Sequence, residues 1–368
     1  MNILRKVVNR RFLCQHKELA GIRTLFTPGT LGVTAYISNR ELELMYTSQP
    51  EQFKEEFRGK VELAVPLNLL VDNLKKYLHL MSSQRDDIEL LWKALRLFNT
   101  KRDQWQQKSQ IDIKKNYIFG PITMRVLHYH DLPECAIKFF EDDNITHLFD
   151  QLITYQILLD MLYDRKMYGD VLRIYDEVKK RILAQNQYVS NAINAIVFAT
   201  YYRLNTPNHD ELAYDMYNEL KACGQHEKQY RKSIALVAAM RLKRHQPDES
   251  LEILSIHDDI DVNIRYVRIL SYTFLAQFEE VFRLLEMTLA PTHTDQIIKI
   301  PDHLLQKIER GLKKTSNDNY NKRYQSIYDE LKRLDRILYK RLDDVLCARF
   351  PTQMAPYKPN KKFGHGSF

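Results

Sequence analysis

The residues of this chain that could do chemistry are few and scattered. His128-Tyr129-His130-Asp131 places two imidazoles two residues apart, and on a helix that spacing sends them to different sides, whereas a metal needs converging ligands. His257-Asp258-Asp259 with Asp261 reads as a polar loop capping a helix that begins at Val262. Cys14, Cys135, Cys223 and Cys347 stand alone, with no Cys-x-x-Cys and no neighbouring His at zinc spacing, so neither a structural metal nor a disulfide framework is expected. No phosphate-cradling glycine loop and no nucleophile beside a base is present, and the chain reads as a non-enzyme without a cofactor. What remains is charge. Lys332, Arg333, Arg336, Lys340 and Arg341 could neutralise phosphates, with Tyr320 or Tyr339 available to stack on bases. The same segment reads equally as a solubilising cap, because Asp329, Glu330 and Asp335 lie at helical pairing distance from those cations.

The elements that would hold these groups are helices. Only ten Gly and twelve Pro occur in 368 residues, and Leu, Ile, Lys and Glu abound, which favours an all-α chain. The longest apolar stretch, Ala192 to Tyr202, is interrupted by Asn194 and too short to cross a bilayer, so no membrane insertion is expected. The net charge of +8 is concentrated at the ends: residues 1–40 hold seven Lys or Arg against the single acid Glu18, and the last 18 residues add three Lys. The body between them is close to neutral, so a basic average is no argument for nucleic-acid binding. Met1 to Phe26 is Arg-rich and acid-poor with interspersed apolar residues, the pattern of a mitochondrial transit peptide.

Helical periodicity recurs in pairs. Leu70, Leu74, Tyr77, Leu78 and Met81 make one apolar face, and Ile88, Leu91, Trp92, Leu95 and Phe98 make the next. Five later segments then align by a small residue: Ala136, Val171, Ala213, Ser250 and Val281, at spacings of 35, 42, 37 and 31. A helix pair of that size cannot bury its apolar face alone, so the spacing predicts an α-solenoid of antiparallel helix pairs, degenerate in register. Pro133, Pro207 and Pro247 mark first turns of second helices, where a missing N–H costs nothing and nearby polar residues can cap. From Lys307 to Arg341 eleven cations face five acids, and an apolar stripe with a basic stripe at Lys332, Arg336 and Lys340 predicts one long terminal helix. The expected organisation is a transit segment over 1–26, an irregular linker (27–37) and helical segment within 27–60, a hairpin and polar connection over 61–116, the repeat array over 117–300, basic C-terminal helices over 301–350, and a disordered tail over 351–368.

Within that ladder one unit carries a family resemblance. No first helix has the Trp-x-x-Leu-Gly-x-x-Tyr pattern of a tetratricopeptide unit. Ile153-Thr154-Tyr155-Gln156 instead resembles the Val-Thr-Tyr-Asn opening of a pentatricopeptide repeat, and Asp170-Val171-Leu172-Arg173-Ile174-Tyr175-Asp176-Glu177-Val178-Lys179 resembles its second helix. Tyr188-Val189-Ser190-Asn191 with Glu219-Leu220-Lys221 is a poorer match. Tyr117-Ile118-Phe119-Gly120-Pro121, His130 to Ala136 and Leu342-Asp343-Asp344-Val345-Leu346-Cys347 are similar to mitochondrial members of the family. The resemblance implies a matrix protein that binds single-stranded RNA, one base per unit, and assists maturation, processing or stability of a mitochondrial transcript. It implies Gln156 with Asn186 as one reading pair, and Asn191 at the first reading position of the next unit. Amides can donate to and accept from base edges, though these three read equally as solvated or capping side chains. The other units carry Pro121, Ala235 and Tyr266 there; Pro and Ala cannot read a base, and Tyr266 is left to stack. A base code across five units is therefore not expected. The alternative is a scaffold that binds ribosomal or RNA-processing proteins.

Overall fold

The computed structural model describes residues 25–108, 117–185, 187–222, 231–255, 261–289, 298–315 and 317–348. Residues 1–24 of the expected transit segment, Asn186, Cys14, Cys223, His257 to Asp259 and the 351–368 tail lie outside the described residues. In chain order the helices are α1 (Val33–Tyr46), α2 (Pro50–Glu62), α3 (Leu67–Leu80), α4 (Arg85–Lys108), α5 (Phe119–Tyr129), α6 (Pro133–Glu141), a short 3-10 turn (Thr146–Phe149), α7 (Leu152–Asp164), α8 (Tyr168–Ala184), α9 (Asn191–Leu204), α10 (Pro207–Ala222), α11 (Arg231–Lys243), α12 (Pro247–Leu254), α13 (Val262–Phe274) and α14 (Phe278–Leu289). Strand β1 (Ile300–Pro301), α15 (Asp302–Thr315), α16 (Asp318–Arg333), β2 (Ile337–Leu338) and α17 (Leu342–Leu346) complete it. The two-residue strands pair in parallel, Ile300 with Ile337 and Pro301 with Leu338.

The chain is an all-α helical-repeat protein. From α3 to α15 the odd-numbered helices pack on one another in series, and each even-numbered helix from α6 to α12 packs on its own first helix and on the next. The five small residues aligned from the sequence sit at these crossings, and Ala136, Val171, Ala213, Ser250 and Val281 are all completely buried. Where that residue is polar it is satisfied: the Ser271 hydroxyl on α13 donates to Ser250 Oγ at 3.1 Å. The central first helices α9 and α11 are enclosed on nearly every side. Every residue from Ile193 to Tyr202 in α9 and from Lys232 to Leu242 in α11 is buried, as largely apolar, small-residue helices require, the charged Lys232 and Arg241 included. Asn194, which interrupts the α9 run, pairs with the Tyr175 hydroxyl at 3.2 Å.

The turns inside the pairs share one geometry. Asp131, Lys166, His245 and Ala276 take a left-handed conformation. The next N–H then reaches the carbonyl five residues back: Leu132 to Leu127 at 2.9 Å, Met167 to Leu162 at 3.0 Å, Gln246 to Arg241 at 3.1 Å and Gln277 to Tyr272 at 2.9 Å. This closes the carbonyl end of each first helix. Pro133 and Pro247 do stand at the first turn, but the caps before them are Leu132 and Gln246 with no side-chain bond. At these two the expected polar cap is replaced by the left-handed turn, whereas before Pro207 the Thr206 hydroxyl oxygen caps α10 by accepting from His209 N at 3.3 Å. The third pair departs, with Asn205 itself left-handed and its N–H on Tyr201 O at 2.9 Å; that different turn contributes to the irregular repeat spacing.

Three sequence expectations are corrected. The irregular linker over 27–37 is short, because α1 starts at Val33, and Leu25, Phe26 and Leu31 are buried in the common core. The polar connection after Asn99 remains helical to Lys108; its Lys, Arg and Gln are good helix formers, and Asn99 anchors it by donating to Asn144 O at 2.9 Å. The long terminal helix is two helices and a strand. Helix α16 ends at Arg333, and left-handed Asp335 turns the chain into β2. Asp261 does cap α13, accepting from Asn263 N at 2.8 Å and Ile264 N at 3.2 Å.

Candidate nucleic-acid interface

The reading positions fall on the first-helix layer, and their geometry follows from the helix ends. Gln156 lies eight residues before the last residue of α7; the same count gives Pro121 in α5, Ile196 in α9, Ala235 in α11 and Tyr266 in α13. Gln156 and Pro121 are half-buried, whereas Ile196 and Ala235 are wholly enclosed and Tyr266 is 2% exposed. Tyr266 does not face a base: its hydroxyl donates to Lys299 O in the segment leading to β1. Asn191 is the first residue of α9, beside the capping Ser190, so it stands at a different level from Gln156.

The α7 face bearing Gln156 continues through Asp160 and Tyr163, one and two turns on. Both are covered by segments that flank the array. Asp160 is fully buried and accepts from the N–H of Leu25 at 2.9 Å and of Phe26 at 3.3 Å. The same N-terminal segment is tied to α5, where Arg125 Nε donates to Leu31 O at 2.9 Å. Tyr163 lies against Cys347 and Arg203, and burial raises the pKa of its hydroxyl well above the ordinary range.

The C-terminal segment closes a cluster of cations drawn from three first helices. Asp343 at the start of α17 accepts from the Tyr202 hydroxyl and lies 3.3 Å from Lys243 Nζ. Lys243 Nζ also stands 3.5 Å from the centre of the Tyr202 ring. Asp344 is 3.5 Å from Arg203, and Lys232 donates to Ala348 O. Lys307 on α15 feels the Asp343 charge. Burial opposes every cation here: it brings Lys232 down to about 8 and lowers Lys243 and Lys307. Burial also opposes the Asp343 carboxylate, but the Tyr202 hydrogen bond and the Lys243 charge outweigh it and hold its pKa low. Arg203, Lys232, Lys243 and Lys307 thus meet Asp343 and Asp344, with Asp261 acting on Lys232 from the edge. Sequence reasoning missed this cluster. Its only signal was cations at the borders of otherwise apolar first helices.

The C-terminal cations expected to form a stripe do not share a helix. Lys332 is exposed on α16, and Arg333 pairs with Glu330 at 2.5 Å. Arg336 lies beyond the helix, half-buried, and its guanidinium donates to Thr288 O at the end of α14. Lys340 is exposed in the loop before α17. Among the described residues no cluster of three His, Cys, Asp or Glu could hold a metal, and no helix is long and apolar enough to cross a membrane.

No family model matches the chain. It is 23% identical over 304 residues to "Pentatricopeptide repeat-containing protein 2, mitochondrial" of Xenopus laevis, covering 82% of this chain and 76% of that protein. The proteins of the same name from Mus musculus and Danio rerio are 25% and 23% identical, over 63% and 66% of this chain. There the match spans 59% and 60% of the relatives' own length, so the chain covers about three fifths of those two. Residue similarity at this level, extended along most of the helix array, supports assignment of the chain to the mitochondrial pentatricopeptide repeat-containing protein 2 family.

Proposed function

We propose that this protein binds single-stranded RNA in the mitochondrial matrix and assists the maturation, processing or stability of a transcript, without catalysing a step itself. The observation that carries the reading is a cationic, tyrosine-bearing patch on the first-helix layer of a chain whose relatives are pentatricopeptide repeat proteins by name. Uncovered, such a cluster meets phosphates with its cations and its tyrosine hydroxyl. Gln156, with Asn186 as its partner, is the pair proposed to touch a base edge, and Asn191 offers a second amide. Lys332, Arg333 and Lys340 are proposed to meet flanking phosphates, with Arg336 holding the terminal segment in place. Because Ile196, Ala235 and Tyr266 are enclosed, recognition rests on one or two bases and on backbone charge, not on a base per unit. The test is ultraviolet crosslinking in intact mitochondria with sequencing of attached RNA, alongside protease protection of the imported chain. Folded, imported protein that carries no RNA above background would sink the reading.

A scaffold for ribosomal or RNA-processing proteins is the second reading. One observation favours it: Leu42, Met45 and Tyr46 share a face of α1 and are 48%, 72% and 83% exposed. Recovery of the same protein partners after RNase treatment, with no crosslinked RNA, would select it.

A further inference from the structure

The segment 342–348 turns two acidic side chains into the array. Asp343 and Asp344, consecutive carboxylates, reach into the first-helix layer and meet side chains from α9 and α11. Their partners are the ones a phosphodiester would need: a tyrosine hydroxyl and a lysine on Asp343, an arginine on Asp344, and a further lysine on the Ala348 carbonyl. The lysine ammonium also lies over the tyrosine ring, which holds the cation beside the hydroxyl. The occupant is a short element. Helix α17 has five residues and is held by Leu342 and Leu346 in the core, with Cys347 buried just beyond it. It is joined to the array through the two-residue pairing of β2 with β1. A polyanion with several phosphates could therefore compete with two carboxylates for the same donors.

We propose that the pocket closed by residues 342–348 is a phosphodiester-binding site of the first-helix layer, occupied by the chain's own carboxylates until single-stranded RNA takes their place. This rests on the RNA-binding reading above and adds to it the location of the backbone contacts and a device that keeps them covered. Arg203, Lys243 and Tyr202 are the proposed phosphate ligands, and Asp343 and Asp344 the internal competitor.

Cys347 reports the state of the site, being 6% exposed when the segment is docked. The full-length protein is alkylated with a maleimide, alone and with a 20-nucleotide oligouridine, and modification of Cys347 is followed by peptide mass spectrometry. Oligouridine binding is measured in parallel by fluorescence anisotropy. The expected result is at least tenfold faster labelling of Cys347 on saturation with RNA. In the same assay Asp343→Asn with Asp344→Asn is expected to bind oligouridine at least threefold more tightly, and a further Lys243→Ala change to remove that gain. RNA that binds while Cys347 labelling and the Asp343→Asn/Asp344→Asn affinity stay unchanged overturns the site and leaves the RNA reading standing. No binding of oligouridine, or of total mitochondrial RNA, by any of these proteins overturns both. Acceleration by polyglutamate and not by RNA overturns the proposal in favour of an acidic protein segment.

Discussion

Arg241 is the residue on which three helices depend. It is 4% exposed in α11, with Nη1 3.2 Å from Asp210 and 3.2 Å from Glu211 on α10, and Nε 3.6 Å from Glu249 on α12. Its guanidinium also lies 4.2 Å from the centre of the Tyr214 ring. Asp210 is itself 2% exposed, and burial pushes its carboxyl pKa up against the pull of Arg241. Removing one member of such a pair strands the other, so Arg241→Ala should cost about 3–5 kcal/mol in urea unfolding. Adding Asp210→Leu should recover part of that loss, because the stranded charge is then gone. An unchanged midpoint for Arg241→Ala would show that the network is not coupled to stability. The histidines at the end of α5 make a separate prediction. Burial lowers both His128 and His130 to about 4 from an ordinary 6.5. Below pH 6.5 the unfolded chain takes up protons that the folded chain resists. The stability these neutral rings allow is therefore complete above pH 6.5 and falls progressively as pH drops toward 4. A melting temperature measured across that window should decline, and His128→Asn with His130→Gln should flatten the decline; an equal slope in both proteins would refute the assignment.

At the scale of elements, the turns carry more strain than the helices. Ala276 holds a φ of 56 between α13 and α14, where a side chain is disfavoured and glycine is not. Ala276→Gly should stabilise the protein by about 0.5–1 kcal/mol, raising the melting temperature; a fall would mean that the Ala276 methyl packs usefully. Gly120 is the opposite case. A Cβ there would stand 2.1 Å from Leu148 O, because α5 lies directly against the 3-10 turn before α7. Gly120→Ala should therefore force α5 and that turn apart, read as loss of near-ultraviolet circular dichroism with helix content kept. These elements also mark what the sequence could convey. Second helices were legible because they are amphipathic, with one small residue at each crossing and acids in the first turn. The left-handed turns were not, since Lys166 and Ala276 carry no signal for that conformation. The register of first helices was half legible: α7 has Gln156 and Asp160 one turn apart on a mostly apolar helix, but α9 and α11 are apolar or small along their middles, with cations near their ends, and show no continuous polar face. Asn191 was thus matched to Gln156 by local similarity, although the helix ends place Ile196 at that level. The cationic cluster was hidden for another reason. Its members lie on α9, α11 and α15, and only the fold brings them to Asp343.

At the scale of the molecule, a helical-repeat array gains stability from nearest neighbours, and its ends should fray independently. Here the segments around Leu25 and Asp343, which flank the array, oppose that tendency. Leu25 and Asp160 are bonded across 135 residues, and Tyr202 and Asp343 across 141. Each contact ties a terminal segment to the middle of the array, where the first helices would otherwise present Asp160, Tyr202 and Lys243 to solvent. The C-terminal tie brings burial as well as charge, since Leu342 and Leu346 are 4% and 0% exposed. Two leucines buried at about 1.5–3 kcal/mol each set the scale of what is lost when residues 342–368 are deleted. The loss should be local in its consequences. Amides of α9 and α11, uncovered by the deletion, should lose hydrogen-exchange protection, while those of α3 and α4, several pairs away, should keep theirs. Calorimetry should show a broader transition for the shortened chain than for the full chain, because the central pairs would then open at lower temperature than the N-terminal ones. Uniform loss of protection from α3 to α15 would instead mean that the array unfolds as one unit whatever covers its centre. In that case the C-terminal segment could not leave without unfolding the rest, and exchange between segment and RNA at a standing array would be impossible. Preserved protection in α3 and α4 is thus the condition under which the central pocket can open while the protein stays folded.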